Sequence, residues 1–283
     1  MTPGTLALTA LTMTFFAANS LLARLALRAG AIDGVSFTAV RLFAGAVTLA
    51  LLLAFRRDGI RALRTNGSVP AALALFAYAI AFSFAYTALD AGTGALILFA
   101  AVQMTMLSVA IARGERLPPI VWIGLAVAFG GLIYLVSPGL SAPAPVGAAL
   151  MAAAGAFWGA YSLAARGVRS PTAATAGNFV RATPLAAAAL LVCWATGRIH
   201  TSTAGVGFAA LSGAITSGLG YIFWYLALEK LPSSRAAIVQ LTVPVIAAIA
   251  GILILGEQPS WRLAFASTAI LGGVAIALIP RMN

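Results

Sequence analysis

A chain of 283 residues that is 62% hydrophobic and 8% charged, with a formal net charge of +11, does not fit a water-soluble globule, which carries roughly 25% charged residues. Apolar runs of about 20 residues follow one another, the length a helix needs to cross a bilayer. The single cysteine, Cys193, excludes an intrachain disulfide and a C-x-x-C metal or redox motif.

Ten spans are predicted, at 5–27, 36–55, 69–89, 92–112, 119–137, 147–166, 173–196, 205–228, 234–254 and 260–279. Proline and glycine punctuate many of the joints. Span 1 lacks a basic n-region and exceeds the apolar length of a signal peptide, so it reads as a retained helix; it carries Asn19 and Ser20. Span 2 carries Arg41, and the connector after it, RRDGIRALRTNGS (56–68), is the longest polar stretch. In span 3, Tyr78, Phe82 and Tyr86 fall at i, i+4 and i+8, on one helical stripe. Span 4 holds Gln103 and Thr105, and span 5 the pair Gly130-Gly131. Span 6 places Trp158 and Tyr161 three apart. Span 7 contains Arg181 and Pro184, and span 8 contains Tyr221, Trp224 and Tyr225. Span 9 has Gln240, Thr242 and Pro244, and span 10 has Gly272-Gly273. No span alternates with period two, which excludes a β-barrel.

Such aromatic clusters serve as packing, as interfacial belts or as walls of a ligand site. Trp158 and Tyr161 lie too deep for a belt, whereas Tyr86 and Tyr225 approach span ends where a belt fits. The buried amides and hydroxyls need partners in lipid. Those partners are either neighbouring helices or the amino and carboxyl groups of a substrate. Arg41 and Arg181 leave two readings open: a snorkelling or gate-side structural pair, or a contact to a substrate carboxylate. Pro244, one turn after Gln240, is a hinge candidate.

With the N-terminus inside, the cytoplasmic connectors and tail hold eleven basic residues: Arg56, Arg57, Arg61, Arg64, Arg113, Arg116, Arg166, Arg169, Lys230, Arg235 and Arg281. The outer connectors hold four: Arg24, Arg28, Arg198 and Arg262. The imbalance favours both termini in the cytoplasm, and the positive charge then needs no nucleic acid to explain it.

FWGAYSLAAR at 157–166 repeats the pattern of FFAANSLLAR at 15–24, 142 positions earlier. Gly114-Glu115 and Gly256-Glu257 share that spacing, as do the two Gly-Gly pairs. VRL (40–42) pairs with VRA (180–182), and YTALD (86–90) with YLALE (225–229). The blocks keep their order, so the chain reads as two copies of a five-helix unit, residues 1–138 and 139–283. Five crossings are odd, so the second copy enters from the opposite side. Inverted repeats of this kind recur in secondary transporters, where two conformations exchange about a midplane site.

Two such halves, each with Gly-Glu after its fourth helix and Gly-Gly in its fifth, resemble the EamA family of the drug/metabolite transporter superfamily. The chain is most similar to YddG-type aromatic amino-acid exporters. The resemblance implies an all-α integral membrane protein of ten transmembrane helices. It further implies a central cavity built largely from helices 1, 3, 4, 6, 8 and 9, with helices 5 and 10 peripheral.

Within that frame the expected substrate-binding residues are Asn19, Tyr78, Phe82, Gln103, Trp158, Tyr161, Tyr221, Trp224 and Gln240. Arg41, Arg181 and Pro244 are expected in gating or, for the arginines, in carboxylate contact. The six acids, Asp33, Asp58, Asp90, Glu115, Glu229 and Glu257, fall in connectors or at span ends. No ionisable group is placed to couple transport to protons, so export down the substrate gradient is expected. Too few cationic side chains lie within spans for a phosphate-bearing substrate. The expected partners are a neutral or zwitterionic small molecule, above all an aromatic amino acid, and the lipid of the inner (plasma) membrane; neither a cofactor nor a nucleic acid is expected, and the oligomeric state stays open. An efflux pump for quaternary cations is the main rival, since aromatic walls suit cations. An intramembrane enzyme lacks any catalytic motif, and a channel does not need an internal repeat.

Overall fold

The computed structural model describes residues 3–55, 59–114, 118–139, 142–164, 168, 170–228, 231 and 239–278. Among them the protein is all-helical, with one isolated bridge between Ile32 and Thr201. The helices are α1 (Pro3–Arg28), α2 (Gly34–Ala54), a short α3 (Gly59–Thr65), α4 (Val69–Ala85), α5 (Ala91–Ala112), α6 (Pro119–Val136), α7 (Pro145–Ala164) and α8 (Pro171–Ala195). A continuous rod follows, made of α9 (Thr203–Leu211), a π-helical stretch π1 (Ser212–Leu219) and α10 (Gly220–Leu228). The chain ends in α11 (Thr242–Leu255) and α12 (Trp261–Leu278). Seven helical segments are long and apolar enough to cross a membrane: α1, α2, α5, α6, α7, α8 and the rod from Thr203 to Ala227. Three shorter apolar helices accompany them.

Several helix starts follow from local chemistry. Asp33, Ser68 and Ser202 cap α2, α4 and α9 by accepting N–H groups of Ser36, Ala71 and Gly205, satisfying donors that no intrahelical carbonyl can reach. Pro119 and Pro171 start α6 and α8, where the missing N–H costs nothing. Within α1, Thr9 and Thr12 return their hydroxyls to the carbonyls of Thr5 and Leu8, so these polar groups need no water. The rod's π stretch, SGAITSGL, has no local signature of its own.

Asp33 does more than cap. Its carboxylate also accepts the His200 N–H, and the backbones of Asp33 and His200 pair as well. The α1–α2 and α8–α9 connectors are thereby tied together. Burial pushes the Asp33 carboxyl up, but the Ser36 hydroxyl and the N–H groups of Ser36, His200 and Val35 outweigh it and hold it below its ordinary value. The stabilisation is therefore present above the unfolded-state pKa, about 4, and is lost as pH falls through the lower folded value. Asp33→Ala is expected to cost about 1 kcal/mol at neutral pH, measured by thermal unfolding in detergent, with the difference from wild type shrinking in acid.

α6 and α12 pack on one another at the edge of the bundle. A Cβ at Gly131 would meet Ala269 and Ile270, and one at Gly273 would meet Ala128 and the Gly124 carbonyl. Their neighbours Gly130 and Gly272 face open space. One glycine of each Gly-Gly pair thus lets the helices approach, as small residues do in membranes. Trp122, Ile123, Phe129 and Ile133 of α6 are exposed on its outer face, as expected for a peripheral, lipid-facing helix.

Two expectations need correction. Arg24, counted with the outer connectors, lies inside α1 and is buried at 6% exposure. It can be there because two carboxylates meet it. Tyr86, a belt candidate near a span end, is fully buried, with its ring edge-on to Phe82 and its hydroxyl donating to the Ala91 carbonyl. Of the basic residues counted as cytoplasmic, Arg56, Arg57, Arg116, Arg166, Arg169, Lys230, Arg235 and Arg281 lie outside the described residues.

Candidate substrate cavity

A small cavity opens between α1, α4, α5, α7, π1 and α10. Its walls include Phe16, Asn19 and Ser20 of α1, Tyr78 and Phe82 of α4, and Leu98 and Phe99 of α5. Trp158 of α7, Thr216 and Ser217 of π1, and Tyr221 of α10 complete it. Five sequence-predicted residues therefore come together: Asn19, Tyr78, Phe82, Trp158 and Tyr221. They converge because each of these helices turns polar or aromatic residues toward its neighbours.

Trp158 is the hub. Its ring centroid lies 5.0 Å from Tyr78, 4.9 Å from Tyr221 and 5.3 Å from Tyr161. Rings this close make favourable tilted contacts and leave no slot for another ring between them.

The other predicted residues stand outside the cavity wall. Tyr161 is buried one ring behind Trp158, and its hydroxyl has no hydrogen-bond partner among the described residues. Trp224 packs edge-on against the wall residue Phe16. Gln103 is buried in α5 at 6% exposure and is not part of the wall. Gln240 is half-buried just before Leu241, where the helical run breaks. Pro244 follows by one turn, and lacking an N–H it leaves the Gln240 carbonyl without its helical donor.

Arg41 and Arg181 match in local sequence and differ in setting. Arg181 donates to the carbonyls of Leu63, Arg64, Asn66 and Gly177. It closes the C-terminal end of α3, a cationic residue where helix carbonyls are unpaired. Arg41 is 2% exposed. Its Nε donates to Ser217 Oγ at 3.2 Å and its Nη2 to Tyr78 Oη at 3.0 Å. The guanidinium carbon sits 5.1 Å from the Tyr78 ring centre and 4.8 Å from that of Phe82. Nη1 has no partner among the described residues. Arg41 thus stands directly behind three wall residues, held by hydroxyls and π faces, and no described carboxylate pairs with it.

Arg24 is the opposite case. Its Nη2 meets Asp90 at 2.8 Å and its Nε meets Glu257 at 3.4 Å, while Nη1 donates to the Tyr86 carbonyl. Both Glu257 oxygens accept the Ala91 N–H, at 2.9 and 3.0 Å. Gly256, with φ +65°, makes the left-handed turn that ends α11 and brings Glu257 back over α5. Burial raises the Glu257 carboxyl above its ordinary value, the Ala91 N–H and Arg24 opposing it and Asp90 adding to it. This buried network ties α1, α5 and the α11–α12 connector at one end of the bundle.

Thr216 and Ser217 were not among the predicted site residues. Thr216 Oγ1 and Ser212 Oγ lie 3.1 and 2.6 Å from Asn19 Oδ1. The available signal was three hydroxyls, Ser212, Thr216 and Ser217, crowded into one apolar span. Gly213 lets them in: a Cβ there would overlap the Arg41 carbonyl, so π1 rests directly on the α2 backbone. Among the described residues no group of three His, Cys, Asp or Glu could hold a metal.

A family model described as the EamA-like transporter family matches residues 145–279. An uncharacterized protein of Pseudomonas aeruginosa is 52% identical over 279 residues, 99% of this chain and 96% of that protein. A protein of Archaeoglobus fulgidus described as an uncharacterized transporter is 33% identical over 76 residues, 27% of this chain and 28% of its own. A solved structure, described only as a protein crystal structure, shares the fold with a TM-score of 0.67 at 21% identity, over 97% of this chain and 99% of that one.

Proposed function

We propose that this chain, whose residues 145–279 match the EamA-like transporter family, exports neutral amino acids, above all aromatic ones, across the inner membrane by alternating access without ion coupling. The observation that carries this reading is the cavity itself: aromatic walls from both halves of the chain around a few polar groups, the composition of a small-molecule site. No acid lines it. The described acids Asp33, Asp90 and Glu257 sit at helix ends and are engaged there, which supports transport without a proton relay.

Two inverted halves, 1–138 and 139–283, are part of the same proposal. Helix contacts support it. Number the apolar segments one to ten and step each by five, and several packing pairs map onto packing pairs. Segment one meets nine as six meets four, three meets six as eight meets one, and two meets eight as seven meets three. Contacts between connectors support a common outer face. The α1–α2 connector meets the α8–α9 connector, and Arg262 donates to the Ser137 carbonyl. Both termini would then be cytoplasmic.

Counterflow of labelled phenylalanine into proteoliposomes, with no imposed gradient of pH or sodium, tests the proposal. Exchange without either gradient is the expected result, and a strict need for one would refute the uncoupled mechanism. Trp158→Ala removes three ring contacts worth about 0.5–1.5 kcal/mol each and is expected to slow exchange about tenfold or more. Full exchange in that variant would move the site elsewhere. The buried Arg41 beside the wall counts against the rival reading of cation efflux, because like charge is repelled where desolvation is strongest.

A further inference from the structure

Arginine has five N–H donors and no lone pair to accept with. Where Arg41 touches Ser217 Oγ and Tyr78 Oη, each hydroxyl must therefore be the acceptor. Each hydroxyl then has one proton left to give. No described group receives it: neither the Ser217 nor the Tyr78 hydroxyl donates to any carbonyl or side chain. Both residues belong to the cavity wall. The guanidinium is buried, and among the described residues no carboxylate pairs with it and Nη1 has no partner. An isolated cation is costly in this setting, so a negatively charged group is favoured beside it.

From this wiring we infer that the cavity recognises a carboxylate, and that an ammonium group on the substrate is not required. The carboxylate oxygens accept from Tyr78 Oη–H and Ser217 Oγ–H, with the Arg41 charge one layer behind. Phe82, Trp158 and Tyr221 hold the apolar body. Among the described residues the wall offers no carboxylate to an amino group. The substrate class is thus the monocarboxylate with an aromatic or apolar side chain, of which a neutral amino acid is one member. This rests on the cavity being the substrate site and deepens that reading.

Ligand-induced thermal stabilisation of the full chain in lipid nanodiscs separates the possibilities, because a ligand that binds only the folded state raises its melting temperature. Three probes share one ring: phenylalanine, hydrocinnamate, which lacks the amine, and phenethylamine, which lacks the carboxylate. Hydrocinnamate is expected to stabilise at concentrations comparable to phenylalanine, and phenethylamine to need at least about tenfold more, the loss of one charge-assisted bond. Stabilisation by hydrocinnamate but not by phenylalanine would uphold the carboxylate site and remove the amino-acid reading. Phenethylamine acting as strongly as hydrocinnamate, phenylalanine acting alone, or no effect from any probe would overturn the inference. In a second measurement, Ser217→Ala is expected to weaken hydrocinnamate about tenfold, while Ser217→Thr, which keeps the hydroxyl, restores it. Equal affinity in all three proteins would also overturn it.

Discussion

Arg24→Ala is expected to destabilise the protein by about 3–5 kcal/mol, enough to lower its yield sharply. The figure is what removing one partner of a buried ion pair costs, most of it from the charge left behind. Here that charge is Glu257, whose side chain is 5% exposed against 7% for Arg24. Asp90, at 49%, reaches water and would lose little. The Tyr86 carbonyl loses a donor as well. Thermal unfolding in detergent measures the effect, and the double variant Arg24→Met with Glu257→Gln sharpens it. Glutamine keeps an acceptor for the Ala91 N–H and carries no charge, so the double variant should be more stable than Arg24→Ala. If the single variant unfolds like wild type, the network contributes nothing to the fold.

Gly213→Ala is expected to act on the site more than on the fold. A Cβ there meets the Arg41 backbone, which has no rotamer to yield, so π1 must lift off α2. Overpacking of this kind costs about 1–3 kcal/mol. The displacement carries Ser212, Thr216 and Ser217 away from Asn19 and Arg41, so exchange should fall about tenfold or more. Gly272→Ala is the control, because nothing lies within 4 Å of a Cβ there. Loss of exchange in both variants would point to general fragility and not to the α2–π1 contact.

Much of this architecture is legible in the sequence because lipid imposes one rule: a helix long enough to span must be apolar throughout. The aromatic stripe of Tyr78 and Phe82 and the pair Trp158 and Tyr221 stand out against that background, and the cavity is where they meet. Three features are not legible, each for a physical reason. Arg24 looks like a terminal residue of its helix until Asp90 and Glu257, 66 and 233 positions away, are seen to neutralise it. Arg41 and Arg181 share local sequence, yet α3 offers carbonyls to one while the other is walled by rings and hydroxyls. The π stretch is invisible because its extra residue per turn is fixed by contact with α2 and α1, not by the propensity of Ser212–Leu219.

The placement of tryptophan carries a spectroscopic consequence. Trp122, Trp194 and Trp261 are 52%, 68% and 81% exposed on the outer surface, where brominated acyl chains would extinguish their emission. Trp158 sits inside, tilted among three tyrosines, away from such a quencher. In brominated lipid the surviving fluorescence should come chiefly from Trp158. The wild-type protein therefore carries an optical reporter of the interior, one that would brighten or dim as the rings part, with no label attached.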